Sequence, residues 1–161
     1  MKVISLLTVA AFTLTSCTTA QFQDPRERRR KAVHEAGHVV LIRAFPQTFK
    51  LVSSTIDGTP ETKFSNQPDL TDEELRENIM IALAGQAAED MFPYGSSGSS
   101  FEPGGDDAEA RDLAQQLVDR HPGLDRNVII GGAQTIAAAT LTVHKAELTQ
   151  IANMLLHNGH L

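Results

Sequence analysis

Cysteine and large aromatic residues are scarce in this chain of 161 residues, which contains one cysteine, one tyrosine and no tryptophan. A single cysteine excludes an intramolecular disulfide and a zinc site built from several thiolates. The net charge of −6 argues against a nucleic-acid-binding surface, so we expect no nucleic-acid partner. With 41% apolar residues the chain can form one domain with a core, and its many alanines and leucines favour helices.

The first sixteen residues have the pattern of a signal peptide. Lys2 precedes an apolar run over residues 3–14, which is short for a membrane span and typical of a signal-peptide core. The run ends at Leu-Thr-Ser-Cys, residues 14–17, which resembles a bacterial lipobox, and the single cysteine of the chain lies there. We therefore expect an exported protein of the bacterial cell envelope, lipid-anchored at Cys17 on the periplasmic or outer surface.

Two alternatives for this segment remain open. An ordinary secretory signal would be cleaved near residues 19–20, and an uncleaved N-terminal segment would itself anchor the domain at a membrane. In the favoured interpretation, residues 1–16 are the signal, residues 17–24 a tether and residues 25–161 one domain.

The motif His-Glu-x-x-His lies at residues 34–38. Asp24 as N-cap and Pro25 in the first turn predict a helix that runs to about residue 44, where Phe45-Pro46 ends it. Side chains four residues apart share one face of a helix, so the imidazoles of His34 and His38 can reach one metal ion. Glu35 then lies beside an open coordination position, which suits a general base for a metal-activated water.

The remaining pattern predicts a mainly α (α+β) fold, a compact helical domain with a short β-hairpin beside the motif helix. Residues 50–56 and 62–65 are predicted strands joined by a turn. Thr71 and Glu74 form a capping-box pattern that begins a second helix, which ends near residue 92. A loop over residues 94–105 precedes a helix over 106–120, and a single long helix is predicted over 134–156.

Three features allow two interpretations each. Glu89 is either a solvent-exposed acid or a buried carboxylate that supports a metal-binding histidine. Asp106 is either a helix N-cap or a carboxylate that projects into a site shared with the first helix. The basic run over residues 26–31 is interpreted as a solvated face, with attraction to anionic lipid headgroups as the alternative.

Four stretches together resemble the peptidase domain of the FtsH-type AAA zinc metalloproteases. Residues 30–38 are similar to that family's zinc helix, and residues 84–90 to its Gly-Gly-Arg-Ala-Ala-Glu-Glu stretch. The helix after Asp106 and, more weakly, the final helix also match, over roughly residues 25–161 in all. The resemblance implies that His34, His38 and Asp106 bind Zn²⁺ and that Glu35 is the catalytic base. Asp106 is preferred to its neighbour Asp107 because only that register reproduces the family's spacing.

The chain departs from this family in having no Gly-x-x-x-x-Gly-Lys-[Ser/Thr] P-loop, and the stretch before the zinc helix is too short for an ATPase module. We therefore expect a zinc metalloendopeptidase that hydrolyses unfolded or extended polypeptides without ATP. A separate ATPase or substrate-delivery protein is a possible partner, and the oligomeric state is open. Two alternatives are another His-Glu-x-x-His lineage with Glu89 or Glu109 as third ligand, and a non-catalytic binding or regulatory module.

Overall fold

The computed structural model describes residues 24–65, 69–92 and 105–161. These ranges form five helices and a two-stranded antiparallel sheet, which confirms the predicted mainly α fold with a small hairpin. The elements are α1 Pro25–Ala44, β1 Lys50–Thr55, β2 Glu61–Ser65, α2 Asp72–Asp90, α3 Asp106–Arg120, α4 Arg126–Val143 and α5 Lys145–Asn158. The predicted signal, Cys17 and most of the tether and of the 94–105 loop lie outside the described residues. Within the described ranges, no helix combines the length and the apolarity needed to cross a membrane.

Helix α1 is the centre of the domain. Asp24 caps it through a bond from the Arg26 backbone N–H, and residues 35–42 are buried without interruption. A side chain at Gly37 would place its Cβ 2.5 Å from the carbonyl oxygen of Ala84 on α2. The two helices therefore cross with their backbones in contact, which explains a glycine inside the metal motif despite its cost of about 1 kcal/mol relative to alanine.

The second and third helices begin with different caps. Thr71 and Glu74 form the predicted capping box of α2. Helix α3 has Gly105 as its N-cap and no side-chain cap bond. Asp106 is thus the first residue of the helix, and the interpretation of its carboxylate as an N-cap is wrong.

The prediction of one long C-terminal helix over residues 134–156 is also wrong. Helix α4 begins at Arg126, where the Asp125 side chain accepts a bond from the Asn127 backbone N–H, and it ends at Val143. His144 separates it from α5. Glycines 131 and 132 disfavour a helix locally, but apolar side chains spaced four apart on α4 pack into the core and offset that cost. The break lets α4 pack on α2 while α5 packs on α1.

Within the described residues, the two outer edges of the small sheet differ. Thr55 of β1 pairs with His160 near the chain end. In addition, the Ile56 N–H donates to the Gly159 carbonyl at 2.9 Å. Strand β1 therefore lies between β2 and the C-terminal residues. The other edge of β2 pairs with no strand in the part of the chain that is described.

Candidate metal centre

The structure brings together the three side chains predicted to bind a metal. Asp106 Oδ2 lies 2.8 Å from His34 Nε2 and 3.2 Å from His38 Nε2, and the three donor atoms are all within 4.8 Å of one another. Two of them come from adjacent turns of α1 and the third from the first residue of α3. Their role as metal ligands stays a prediction, but their convergence is a property of the fold.

This donor set fits zinc. Two imidazole nitrogens and one carboxylate oxygen are three protein ligands of the kind found in catalytic zinc sites, which keep a further position open. Helix α2 passes directly beneath the imidazoles at Gly85. A Cβ there would lie 2.4 Å from His34 Nε2 and 2.6 Å from His38 Nε2, so only glycine leaves room for both rings.

Acceptors on α2 orient both imidazoles. His38 Nδ1 donates to the carbonyl oxygen of Ile81 at 2.8 Å, and His34 Nδ1 donates to Glu89 Oε1 at 2.7 Å. Because an acceptor on α2 engages each Nδ1, each Nε2 is the nitrogen that faces the centre, where it can serve as a metal ligand once it carries no proton. Residues 81, 85 and 89 are spaced by four, so one face of α2 supports both ligands of α1.

Glu89 is a buried carboxylate that supports a metal-binding histidine, and not a solvent-exposed acid. It is 8% exposed. Arg30 Nη1 contacts both of its oxygens, at 3.0 and 3.1 Å, and Arg30 also pairs with Glu27 at 2.8 Å. For Arg30 the interpretation as part of a solvated basic face is therefore wrong. The ion pair holds the Glu89 carboxylate in place against the His34 ring.

The opposite charges of the centre shift the pKa values of His34 and Asp106. Burial lowers the pKa of His34, but hydrogen bonds with Asp106 and Glu89 outweigh it and raise that pKa to about 9. Burial likewise raises the pKa of Asp106, but the two imidazoles outweigh it and hold that pKa well below its usual range. The carboxylates of Asp106 and Glu89 thus favour positive charge at this centre.

Glu35 lies in the same cleft and is 4% exposed. Its Oε2 accepts a hydrogen bond of 2.6 Å from the Thr62 hydroxyl on β2, and the Ser54 hydroxyl in turn donates to Thr62 at 2.8 Å. Sequence reasoning missed Thr62, because an alternating strand pattern does not show which hydroxyl faces the motif helix. The hydrogen bond restricts the orientation of the Glu35 carboxylate.

The other candidates for the third metal ligand do not reach the point where the two histidines and Asp106 converge. Glu89 contacts Nδ1 of His34, on the side of the ring away from the converging Nε2 atoms. Glu109 and Asp107 line the cleft but are not members of the converging group. Burial, and then the charge of Asp106, raise the pKa of Glu109. Among the described carboxylates, Asp106 alone joins both histidines.

The cleft has a volume of about 710 Å³ and lies between α1, strand β2, helix α2 and the start of α3. Its lining includes the charged groups of the centre and the apolar side chains of Phe64, Ile81 and Ala82. Phe64 is itself held by an edge-to-face contact with the buried Phe49. Residues of β2 thus line the cleft beside the candidate centre.

Comparison with known proteins gives one informative similarity. No protein-family model matches the chain. The chain is 29% identical over 139 residues to a protein described as ATP-dependent zinc metalloprotease FtsH 1 from Sorangium cellulosum (strain So ce56). The match covers 80% of this chain but 22% of that protein. This similarity suggests a relation to the FtsH peptidases, and it extends to a region that is about a fifth of the relative's length.

Proposed function

We propose that this protein is a zinc metalloendopeptidase that hydrolyses peptide bonds in unfolded or extended polypeptides without ATP. The observation that carries the proposal is the convergence of His34, His38 and Asp106 beside the buried carboxylate of Glu35. The similarity to a zinc metalloprotease supports the same reaction class. The proposed action without ATP concerns these 161 residues, in which no P-loop pattern occurs.

In this proposal, His34 Nε2, His38 Nε2 and Asp106 Oδ2 would hold the ion. When bound, zinc supplies Lewis-acid activation of water and polarisation of the peptide carbonyl. The Ile81 carbonyl and Glu89 keep the imidazoles in the tautomer that binds metal. Arg30 keeps Glu89 oriented through its paired contacts.

Glu35 would act as the proton carrier of the reaction. Its carboxylate takes a proton from the attacking water and then delivers that proton to the nitrogen of the leaving amine, so that one C–N bond breaks as one C–O bond forms. Thr62 donates to Oε2 and thereby fixes the carboxylate plane. Burial of Glu35 excludes bulk water that would otherwise compete for this hydrogen-bonded position.

The free edge of β2 would position the substrate. An extended polypeptide can add to such an edge as a further strand, whereas the C-terminal residues already pair with the end of β1 on its outer side. This mode requires a segment that is not already folded. The proposal also retains an exported, lipid-anchored location through Cys17, which lies outside the described residues, and a separate partner that delivers substrate.

A comparison of matched variants tests the proposed reaction. Purified protein is incubated with unfolded casein, with and without a chelator, beside Glu35→Gln. We expect wild-type cleavage that the chelator abolishes, and a loss of at least about 100-fold in rate in Glu35→Gln because the proton carrier is removed. Cleavage that is unchanged in Glu35→Gln would contradict the mechanism. Bound zinc without cleavage of any unfolded substrate would favour the binding module.

A second comparison tests the ligand set. Elemental analysis of Asp106→Ala and Asp107→Ala separates the two adjacent carboxylates, because only Asp106 contacts both imidazoles. We expect stoichiometric zinc in Asp107→Ala and loss of zinc in Asp106→Ala. Full zinc occupancy in Asp106→Ala would indicate a different third ligand.

A further inference from the structure

Ser54 carries a fully buried hydroxyl group on β1, at 0% exposure. In the antiparallel register it lies directly opposite Thr62 of β2, and the two hydroxyl oxygens are 2.8 Å apart. Side chains of directly opposed residues project from the same face of a sheet, and on this face Thr62 reaches Glu35. Ser54 is therefore the next side chain behind Thr62, as seen from the candidate base.

Backbone contacts fix Ser54 in this place. The register of the strand pair shifts by one residue between Leu51 and Ser53, so that Ser54 and not Ser53 lies opposite Thr62. The carbonyl oxygen of Ser54 accepts a bond of 2.8 Å from the backbone N–H of Leu161. Neighbouring residues of a strand project to opposite faces of the sheet, so the half-buried Ser53 projects away from Thr62. The structure thus distinguishes two adjacent serines, of which Ser54 supports Thr62.

The direction of these hydrogen bonds follows from the number of protons available. A threonine hydroxyl has one proton and two lone pairs, whereas an ionised carboxylate, the form in which Glu35 would act as a base, only accepts. At 2.6 Å from Glu35 Oε2, the Thr62 proton is therefore directed to the carboxylate. The contact between the two hydroxyls then requires Ser54 to donate its own proton to Thr62. Both bonds run in one direction, from Ser54 through Thr62 to Glu35, and each strengthens the other.

Thr62 also has a second acceptor on the same residue. Its hydroxyl oxygen lies 3.5 Å from the main-chain carbonyl oxygen of Glu35. A hydroxyl group rotates to suit its partners, and the bond from Ser54 to a lone pair of Thr62 limits that rotation. The supporting bond thereby favours the carboxylate over the carbonyl as acceptor of the Thr62 proton.

We propose that Ser54 is a positioning residue, whose hydroxyl directs the single proton of Thr62 to Glu35 Oε2 and so orients the carboxylate. The inference rests on the proposed peptidase function, in which this carboxylate is the base. Ser54 acts through Thr62 and, because it is fully buried behind it, takes no part in the proton transfer itself.

Kinetics of paired serine variants test this role. Hydrolysis of unfolded casein by zinc-loaded protein is measured for Ser54→Ala and for Ser53→Ala, which makes the same change on the adjacent residue. We expect Ser54→Ala to lower kcat by about 3- to 10-fold, the usual value of one hydrogen bond, with unchanged KM and zinc content. Ser53→Ala should match wild type. Ser54→Cys retains a weaker donor, so its kcat should lie between those of wild type and Ser54→Ala.

A double-mutant cycle with Thr62→Val separates positioning from a general structural effect. Because Ser54 acts only through the Thr62 hydroxyl, Ser54→Ala should cause no further loss of kcat in a protein that already carries Thr62→Val. A change that merely loosened the hairpin would instead lower kcat by the same factor in both backgrounds.

NMR gives a readout that does not need turnover. Three-bond couplings of the Glu35 side chain measure its rotamer populations in the protein with added zinc. We expect one rotamer in wild type and in Ser53→Ala, and a mixture in Ser54→Ala. If no unfolded substrate is ever cleaved, the proposed reaction fails, while these populations still decide whether Ser54 orients Glu35.

Two results would overturn the proposal. Equal kcat and equal Glu35 rotamer populations in Ser54→Ala and Ser53→Ala would mean that Thr62 orients the carboxylate without Ser54. An equal loss of kcat from Ser54→Ala with and without the Thr62 hydroxyl would mean that Ser54 contributes only to the stability of the hairpin.

Discussion

Substitution of Gly85 by alanine is the most direct structural test of the metal centre. The added methyl carbon would lie 2.4 Å from His34 Nε2 and 2.6 Å from His38 Nε2. Ordinary contacts between such atoms begin near 3.4 Å, so the rings must retreat by about 1 Å. A zinc–nitrogen bond tolerates about 0.2 Å, so the two imidazoles cannot both keep their positions as ligands.

We therefore expect Gly85→Ala to weaken zinc binding by at least about 100-fold, which corresponds to about 2.7 kcal/mol. The helix itself should not suffer, since alanine is favoured over glycine by about 1 kcal/mol in a helix interior. Gly132→Ala on α4 is the matched control, because a Cβ there meets nothing within 4 Å. The control should gain stability and keep its zinc.

The assay is competition with a chromophoric chelator, together with elemental analysis and circular dichroism of both variants. A folded Gly85→Ala protein that binds one equivalent of zinc with wild-type affinity would refute the reasoning. That outcome would mean that α2 does not pass as closely beneath the imidazoles as the structure shows.

Further outcomes are expected elsewhere in the molecule. Thr62→Val should lower kcat about 10-fold without loss of zinc, because Glu35 loses its orienting bond, and Thr62→Ser should restore most of it, as steady-state kinetics would show. Glu89→Gln should weaken zinc binding about 10- to 100-fold in chelator competition, since the acceptor of His34 Nδ1 loses its charge. Zinc at about 100 times its Kd should stabilise the protein by about 2.7 kcal/mol in urea unfolding, and a chelator should remove that gain. Hydrogen bonds with the backbone and side chain of Thr71 lower the pKa of Glu74 below its ordinary 4.5. The stabilising effect of the Glu74 carboxylate is therefore present above pH 4.5 and lost as the pH falls through the lowered pKa. Glu74→Ala should accordingly be less stable than wild type at pH 7 and equal to it at strongly acidic pH in urea unfolding.

The α1–α2 pair explains how a small domain can build such a centre. His34 and His38 on one helix face positions 89, 85 and 81 on the other, so the two helices run in opposite directions with matched spacing of four. Close contact at Gly37 and Gly85 brings the backbones near enough for a carbonyl and a carboxylate of α2 to reach the rings. Each glycine thus serves the packing that orients the histidines.

Local signals in the sequence determined much of this protein. Helix α1 with its cap and the capping box of α2 follow from residues close together in the chain, as does the start of α3 at Asp106. The placement of His34 and His38 on one helix face follows from their spacing of four residues, and Glu35 lies next to His34 in the chain. These features depend on the geometry of one helix, so they could be read before any packing was known.

Only the tertiary structure decided the features that depend on how helices meet. It placed Asp106 against both imidazoles, Glu89 behind His34, and Thr62 against Glu35, across 27 to 72 positions of the chain. It also divided the last helix at His144, because α4 packs on α2 and α5 packs on α1. Long-range contacts of this kind leave no local pattern, since burial against a distant element, and not propensity, determines which polar groups are paired.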